Sequence, residues 1–327
     1  MQAIILSGGF GTRMHPLTYT TPKPLLPLLN KPLVQHIVDS LPEEVEEVVL
    51  AANYKIEMLR EYFEGVRLDR EVYIVDEPEP RGTAGAVKNV EEYIDDKFFV
   101  INSDIISSLD FQTFLDFYEE KEGVGAISAW SVEDPTEFGV MDIDDNSRIQ
   151  RFQEKPSLEE AASDKINAGH YILEPEVLDR IPRGEKVSIE REIFPELIND
   201  GLFGYEFGGY WIDCGRPSSL FEATRTLLDE KGRKKLKGDK SVIKGELDEY
   251  VTVGEDCTIG ESRINNSIIY DGVEIGDGCR IKNSILGYDV IVEDDVTIKD
   301  SIVSDNLYIE KDRKIIKEKL EPEEEEK

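Results

Sequence analysis

Short apolar runs alternate with amphipathic stretches through the first two-thirds of the chain. The apolar runs cover residues 2–6, 48–51, 72–75, 98–101 and 124–130. Apolar residues recur with helical spacing in residues 33–40, 55–63, 84–93, 111–121 and 220–235. Strands that alternate with helices are typical of an α/β fold with a doubly wound, mostly parallel sheet. Ligands of such folds bind at the carboxyl ends of the strands.

The pattern changes after residue 240 to a six-residue repeat. Apolar β-branched residues occur at positions 253 and 259, 275 and 281, and 292 and 298, often followed by glycine. Six residues form one flat face of a parallel β-helix, and three faces close one triangular coil. The repeat therefore predicts about three to four coils over residues 241–310, with turns or short insertions near 265–269 and 283–286.

Two domains, a linker and a tail follow from these patterns. We predict an α/β domain over residues 1–235, a polar linker, a hexapeptide-repeat domain over 241–310, and an acidic, disordered tail over 311–327. No apolar run reaches the roughly 18 residues that a transmembrane helix needs, and the N-terminus lacks the charged start of a signal peptide. The three cysteines have neither disulfide nor zinc spacing. We therefore expect a cytoplasmic protein.

Negative charge is unevenly distributed along the chain. The 70 acidic residues outnumber the 38 basic ones and give a formal net charge of -32, which argues against nucleic acid or an anionic membrane as a partner. The first 38 residues contain no acid, and their only basic residues are Arg13, Lys23 and Lys31. The N-terminal segment is therefore predicted to lie where it tolerates or binds negative charge.

A glycine-rich loop follows the first predicted strand. Gly8, Gly9 and Gly11 leave backbone N–H groups open to phosphate oxygens, and Arg13 adds a planar fork of donors. The loop continues with Pro-Leu-Thr and then Pro-Lys-Pro-Leu-Leu-Pro. The prolines stiffen this segment and hold Lys23 near the phosphates that the glycines would bind. These features together indicate a triphosphate site.

The two motifs resemble the signature of the sugar nucleotidyltransferases, also called NDP-sugar pyrophosphorylases. The shared pattern is Gly-Gly-x-Gly-Thr-Arg-x-x-Pro-Leu-Thr followed by Pro-Lys-Pro-Leu-x-Pro, and the resemblance extends through most of the first 225 residues. It implies a Rossmann-like nucleotidyltransferase domain and, with the hexapeptide repeats, a left-handed parallel β-helix. It also implies that a nucleoside triphosphate and a sugar 1-phosphate are joined and pyrophosphate is released.

The resemblance carries the family's site residues onto this sequence. It implies that the catalytic residues are Arg13, Lys23, Asp104, Lys155 and Asp213. Those at the nucleotide are Leu6, Gly8, Gly9, Gly11, Thr12, Gly82, Thr83 and Ala84, and those at the sugar are Glu154, Asn167 and Gly169. Asp104 and Asp213 are implied as the metal ligands, and Mg²⁺ suits one or two carboxylates plus substrate phosphates. Arg81 departs from the family, which often has leucine there.

Three segments look most like the mannose-1-phosphate guanylyltransferase branch. They are Asn-Ser-Asp at 102–104, Lys-Ile-Asn-Ala-Gly-His-Tyr-Ile-Leu at 165–173 and Ser-Ile-Glu-Arg-Glu-Ile-Phe-Pro at 188–195. GTP and mannose 1-phosphate are therefore the expected substrates. Glucose 1-phosphate with UTP or dTTP remains the alternative.

Two other classes of function are weighed against this one. A non-catalytic regulatory homologue is disfavoured because all five implied catalytic residues are present. An acetyltransferase activity of the β-helix is disfavoured because no histidine follows His170. The β-helix is then expected to be an assembly or regulatory domain, and the protein a homo-oligomer that takes only small-molecule substrates.

Overall fold

A computed structural model describes residues 1–77 and 79–322. The chain forms two compact units, each built from two separate stretches. Unit 1 contains Met1–Gly9 and Val34–Trp211, and unit 2 contains Phe10–Leu33 and Ile212–Lys327. The glycine-rich loop thus divides between the units after Gly9. The domain boundary predicted at residues 235–241 stays a prediction.

The strands and helices predicted up to Glu230 are present in the predicted order, but the structure adds several short strands and a helix at Phe194–Gly201, and the helix predicted over residues 220–235 ends at Glu230. The strands are β1 (Gln2–Ser7), β2 (Pro27–Leu28), β3 (Lys31–Pro32), β4 (Glu47–Ala52), β5 (Glu71–Asp76), β6 (Phe98–Asn102), β7 (Ile105–Ser107), β8 (Gly125–Ser131), β9 (Gly139–Ile143), β10 (Ile149–Glu154), β11 (Lys165–Leu173), β12 (Leu202–Glu206) and β13 (Trp211–Asp213). The α-helices are α1 (Leu33–Ser40), α2 (Ile56–Gly65), α3 (Gly82–Asn89), α4 (Phe111–Glu119), α5 (Phe194–Gly201) and α6 (Pro217–Glu230).

Unit 1 is built on a nine-stranded mixed sheet. Strands β5, β4, β1 and β6 are parallel neighbours in that order, and β11 pairs antiparallel to β6. The rest of the sheet continues beyond β11 through β9 and β10 and through β8 and β12. The predicted α/β fold is confirmed, and the parallel block brings the ends of β1, β4 and β6 to one edge.

The core of unit 1 lies between this sheet and its helices. Ile4, Val49 and Val100 come from three adjacent strands and belong to one buried cluster with Ala84 and Val87 of α3. Strands that are covered on both faces become continuous apolar runs, as in the sequence here. Packing of α3 against β1 and β4 holds the start of that helix near the strand ends.

Unit 2 contains a left-handed parallel β-helix with three sheets. Its strands are β14 (Lys235–Lys237), β15 (Val242–Ile243), β16 (Glu246–Leu247), β17 (Val251–Val253), β18 (Thr258–Ile259), β19 (Arg263–Asn265), β20 (Ile268–Ile269), β21 (Glu274–Ile275), β22 (Arg280–Lys282), β23 (Ile285–Leu286), β24 (Ile291–Val292), β25 (Thr297–Lys299), β26 (Ile302–Val303), β27 (Tyr308–Ile309), β28 (Lys314–Ile316) and β29 (Lys319–Leu320). The sheets have six, five and five strands. Ile259, Ile275, Val292 and Ile309 stack directly above one another in its core.

The β-helix is longer than the sequence patterns predicted. Each of its three sheets has at least five strands, so the prediction of three to four coils was too low. Strands already occur at Lys235–Lys237, inside the predicted linker, and as late as Lys319–Leu320. Residues 311–320 therefore belong to the β-helix and not to a disordered tail, because Ile315 continues its buried core. The end of the predicted tail, residues 323–327, lies outside the described residues.

The Phe10–Leu33 stretch of unit 2 is a chain of tight turns. Thr12–Met14 and Lys23–Leu25 each form a single 3-10 turn, and β2 pairs with β3 in a short hairpin. Between them the chain is held by local backbone hydrogen bonds, such as Leu25 N to the carbonyl of Pro22 at 2.9 Å. The prolines thus give the stiff, non-helical loop that the sequence predicted. Over the described residues, none of the helices is both long and apolar enough to span a bilayer.

Candidate active site

The ends of β1 and β6 bring two predicted site segments of unit 1 together. The backbone N–H of Ser103 donates to the carbonyl of Leu6 at 3.1 Å. This bond fixes the Asn102-Ser103-Asp104 turn beside the start of the glycine-rich loop. Leu6 and Asp104 therefore lie at the carboxyl edge of the parallel strands, where α/β proteins bind ligands.

A buried carboxylate faces the first glycine of the loop. A Cβ on Gly8 would lie 2.8 Å from Oε2 of Glu77, so a larger residue would displace this carboxylate. The other oxygen, Oε1, accepts the backbone N–H of Arg81 at 2.9 Å. Glu77 is only 3% exposed, and this burial raises the pKa of its carboxyl, while the Arg81 backbone bond and guanidinium act in the opposite direction.

The amide of Asn53 approaches the same glycine from the end of β4. Its Nδ2 lies 3.9 Å from the position of a Cβ on Gly8. Both side-chain polar atoms of Asn53 are shielded from solvent, and within the described chain neither makes a hydrogen bond. A buried amide without partners is costly unless a ligand supplies them. Asn53 is thus a candidate ligand contact.

The Gly82-Thr83-Ala84 segment begins α3 and is held by a neighbouring loop. The backbone N–H of Ala84 donates to the carbonyl of Val187 at 3.1 Å. The hydroxyl of Thr83 donates to Glu190 at 2.8 Å and accepts the backbone N–H of Ile189 at 2.9 Å. Only glycine fits at position 82, because its φ is +75° and a Cβ would meet the Val187 carbonyl at 2.4 Å.

The predicted sugar residue Glu154 ends β10, and the predicted catalytic residue Lys155 follows it directly. Oε2 of Glu154 would lie 3.1 Å from a Cβ on Gly139 of the adjacent strand. Burial and, next, the carboxylate of Glu190 raise the pKa of Glu154, whereas Lys155 and Arg191 lower it. Lys155 is exposed and adopts a left-handed backbone with φ of 50°. Glu154 is therefore close to Glu190, the residue that also binds Thr83.

The other predicted sugar segment lies on an irregularity of β11. The register with β8 shifts between Asn167 and Tyr171, and within the bulge Oδ1 of Asn167 accepts the backbone N–H of Gly169 at 2.9 Å. Gly169 has a φ of +81°, and a Cβ there would lie 2.8 Å from Nδ2 of Asn102. The bulge therefore places Asn167 and Gly169 next to the strand end that carries Asp104.

Unit 2 contains the remaining predicted residues, and two of them are direct neighbours. A Cβ on Gly215 would lie 2.8 Å from Oδ1 of Asp213 and 2.9 Å from Nη2 of Arg13. The guanidinium and the carboxylate therefore converge on the same glycine. Oδ1 of Asp213 is shielded from solvent.

The loop that carries Arg13 is fixed from within unit 2. Thr18 is fully buried, and its hydroxyl donates to the carbonyl of Gly11 at 2.8 Å. Gly11 has a left-handed φ of +64°, and a Cβ there would meet Thr18 at 2.9 Å and Lys23 at 3.4 Å. Lys23 is itself 9% exposed. Gly11 and Lys23 are thus brought together, with exposed Thr12 beside them.

Each unit gathers its own share of the predicted residues. In unit 1 the structure groups the Leu6–Gly9 loop with Asp104, Asn167 and Gly169, and it groups Thr83 with the Glu154 region through Glu190. In unit 2 it groups Arg13 with Asp213 and Gly11 with Lys23. The sequence did not predict four residues of these groups: Glu77, Asn53, Glu190 and Gly215. Two of them had a signal, since Gly215 lies two residues after the predicted metal ligand Asp213 and Glu190 lies within the 188–195 segment.

His170, which follows Gly169 on β11, has a structural role. His170 is 1% exposed, and burial lowers its pKa to about 3, so its ring is neutral at neutral pH. Its Nδ1 lies 3.0 Å from the Ser128 hydroxyl.

The carboxylates that are present fit a divalent cation bound partly by substrate. Among the described residues there is no group of three or more histidine, cysteine, aspartate or glutamate side chains that could hold a metal by itself. Mg²⁺ commonly takes only one or two carboxylates and completes its shell with phosphate oxygens and water. Asp104 at a strand end of unit 1 and Asp213 of unit 2, whose Oδ1 is shielded from solvent, are carboxylates of the kind required.

The chain is similar to known proteins over nearly its whole length. Residues 2–230 match the family model described as "Nucleotidyl transferase", and residues 239–325 match the "GMPPB C-terminal domain" model. Mannose-1-phosphate guanylyltransferase 1 of Arabidopsis thaliana is 38% identical over 273 residues, which are 80% of this chain and 75% of that protein. Mannose-1-phosphate guanylyltransferase of Mycobacterium tuberculosis is 34% identical over 297 residues, 85% of this chain and 82% of that one. HddC from Yersinia pseudotuberculosis, solved in complex with GMP-PN, is 28% identical with a TM-score of 0.56 over 68% of this chain and 97% of its own.

Proposed function

Because the chain belongs to the nucleotidyl transferase family, we propose that it joins mannose 1-phosphate to GTP and releases pyrophosphate. Nucleotidyl transfer is the activity of the family, and members of it generally use a divalent metal. The observation that carries the choice of base is the buried Glu77–Asn53 pair at Gly8. The names of the relatives support both the base and the sugar.

The reaction we propose is an in-line displacement at the α-phosphorus of GTP. An oxygen of the sugar phosphate forms the new O–P bond while the bond between the α-phosphorus and the bridging oxygen breaks, and the electron pair leaves with pyrophosphate. The attacking oxygen is already ionised at neutral pH, so no general base is needed. Catalysis then consists of positioning and charge neutralisation.

The proposed roles follow the charges of the site residues. Arg13 and Lys23 are basic residues of a loop that contains no acid, and we assign them to the triphosphate and the leaving pyrophosphate. Lys155, exposed at the end of β10, is assigned to the attacking phosphate. The half-buried Glu154, together with Asn167 and Gly169, is assigned to the sugar hydroxyls.

Mg²⁺ is the divalent ion we propose, with Asp104 and Asp213 as its protein ligands. Two carboxylates and no closed protein cage are what a hard cation shared with phosphate requires. When bound, it would neutralise phosphate charge during the displacement. Arg13 would hold its place beside Asp213 and orient that carboxylate.

The base assignment rests on complementary hydrogen-bonding groups. Guanine presents two adjacent donors, N1–H and N2–H₂, next to the acceptor O6. A carboxylate accepts both donors, and an amide nitrogen donates to the acceptor. Glu77 and Asn53 offer this set at Gly8. Uracil and thymine have one N–H between two carbonyl oxygens, and a carboxylate would repel those two oxygens.

Glu77→Gln should reduce the preference for GTP. The amide turns one acceptor into a donor that faces the guanine donors, so we expect kcat/KM for GTP to fall about 10- to 100-fold, with a much smaller fall for UTP and dTTP. Steady-state assays with each triphosphate measure this. Glu79→Gln is the matched control, since Glu79 is exposed two residues away. An equal loss with all triphosphates would remove Glu77 from base recognition.

Pyrophosphate release over a grid of triphosphates and sugar 1-phosphates tests the proposed function directly. Release should be fastest with GTP and mannose 1-phosphate and should depend on added Mg²⁺. A maximum with UTP or dTTP and glucose 1-phosphate would replace the proposed substrates. Stoichiometric nucleotide binding without release under every condition would indicate a regulatory homologue instead.

We also propose that the protein is a cytoplasmic homo-oligomer. Ile291 and Tyr308 are exposed apolar side chains at paired positions of β24 and β27 on one sheet of the β-helix, and adjacent exposed apolar residues are a suitable contact surface. All three cysteines are buried thiols, as expected in a reducing compartment. Light scattering of the purified protein would give the number of subunits.

A further inference from the structure

The Phe10–Leu33 loop is tied to the β-helix by hydrogen bonds within unit 2. The hydroxyl of Thr20 donates to Oδ2 of Asp305, which lies 285 residues further along the chain. Nδ2 of Asn30 donates to the carbonyl of Val253 at 2.7 Å, and Nζ of Lys319 donates to the carbonyl of His15 at 2.7 Å. Different coils of the β-helix thus hold different points of the loop.

Asp305 is distinct from the similar aspartates of the other coils. Asp271, Asp277 and Asp294 each use Oδ1 to accept a backbone N–H from the preceding coil, at 2.7 to 2.8 Å. Asp305 makes the same bond with Tyr288 N at 2.8 Å, but its second oxygen is directed to Thr20. The three other aspartates are exposed, whereas Asp305 is 5% exposed. Asp305 thus connects two coils, as the other aspartates do, and in addition binds Thr20 of the loop.

The contact leads by a short path to the predicted phosphate-binding residues. Thr20 is two residues from Thr18, whose buried hydroxyl holds the carbonyl of Gly11 at 2.8 Å. Gly11 in turn precedes the 3-10 turn that carries Arg13. Because this loop contains no acid of its own, a carboxylate acceptor for it has to come from elsewhere in the chain.

We infer that the β-helix positions the triphosphate-binding loop, with Asp305 as the positioning residue that acts through Thr20. This inference rests on the proposed function for the identity of the ligand. The β-helix is then part of the machinery that orders Gly11 and Arg13 for the triphosphate, in addition to any role in assembly. Loss of the contact leaves the loop ordered for a smaller fraction of the time and weakens triphosphate binding accordingly.

Asp305→Ala and Thr20→Val test the inference from both sides of the contact. We expect KM for the triphosphate to rise about tenfold in each variant, with KM for the sugar 1-phosphate unchanged within about twofold. Asp277→Ala is the matched control, because it removes the same bond between coils without touching the loop. Thr20→Ser retains the hydroxyl and should restore KM for the triphosphate. Thr20→Val leaves the β-helix intact, so the test does not depend on the folding of Asp305→Ala.

Amide hydrogen exchange provides a readout that does not depend on the reaction. Exchange in residues 10–33 should accelerate in Asp305→Ala and Thr20→Val and stay as in the wild type in Asp277→Ala. Unchanged exchange and unchanged triphosphate KM in Thr20→Val would overturn the inference. A wild-type protein that forms no nucleotide sugar, while exchange responds as expected, would refute the proposed function and leave the positioning role of Asp305 standing.

Discussion

Replacing Asp104 by asparagine is expected to lower kcat about a thousandfold while the protein remains folded. The carboxylate stands at the end of β6, where Ser103 is bonded to the carbonyl of Leu6 at 3.1 Å. Asparagine keeps the size of the side chain and one acceptor oxygen but loses the charge that a divalent cation requires. Positioning by the rest of the site cannot replace that charge, because the reaction needs it next to the phosphates. Initial rates of pyrophosphate release at saturating substrates measure the effect.

Asp95→Asn is the matched control for this prediction. Asp95 is exposed and lies in the loop that enters β6, at the opposite end of the same strand. It loses the same charge but should retain near-normal turnover. Circular dichroism and thermal unfolding should be alike in both variants and in the wild type. If Asp104→Asn retained near-normal turnover, Asp104 would not be a metal ligand, and the proposed charge neutralisation would have to come from other residues.

The central strands β1, β4 and β6 of unit 1 could be predicted from the sequence because they are buried on both faces. Predicted runs such as 98–101 and 48–51 end within one residue of β6 and β4. Their burial makes the apolar run itself the signal. The parallel direction of β5, β4, β1 and β6 followed from the alternation of strands and helices, whereas neither their order in the sheet nor the antiparallel direction of β11 left a signal in the sequence.

The size of the β-helix could not be predicted from a strict six-residue repeat. Ile268 pairs with Ile285 and Thr252 with Ile268, so one coil takes 16 or 17 residues and not three times six. The missing residues are removed at corners, where Asn266 and Asn283 adopt a left-handed backbone. The hexapeptide pattern slips at these corners, where the sequence predicted turns or short insertions. The additional coil comes from the two ends of the β-helix, because strands also form at Lys235–Lys237 and Lys319–Leu320, outside the predicted range of 241–310.

The site residues that the sequence missed are those that only tertiary contacts connect. The glycine-rich loop, Lys23 and the Asn-Ser-Asp turn are local patterns whose chemistry can be inferred from neighbouring residues. Glu77 meets Gly8 only because β1 and β4 are adjacent and the chain leaves β5 beside them. Thr20 meets Asp305 across most of the chain. Spacing in the sequence gives no information on either contact.

Gly215→Ala is the second substitution with a large expected effect, and it separates activity from stability. The new methyl group would lie 2.8 Å from Oδ1 of Asp213 and 2.9 Å from Nη2 of Arg13, both closer than nonbonded atoms approach. Both atoms are the far ends of side chains, so they can move aside at little cost to the fold. The backbone of Gly215 also has no left-handed φ that would strain alanine. The methyl group therefore displaces the two charged groups and little else.

We expect Gly215→Ala to lower kcat/KM for the triphosphate about a hundredfold, because a displacement of about 1 Å at reacting groups has effects of this size. The unfolding temperature should stay close to that of the wild type. Gly208→Ala is the matched control, since a Cβ there meets no atom within 4 Å, and it should change neither quantity. Full activity in Gly215→Ala would mean that Arg13 and Asp213 tolerate displacement. They would then act by net charge alone, because a charge that acts over a distance tolerates a shift of this size. A metal ligand such as Asp213, or a guanidinium that binds phosphate with two hydrogen bonds, does not tolerate it.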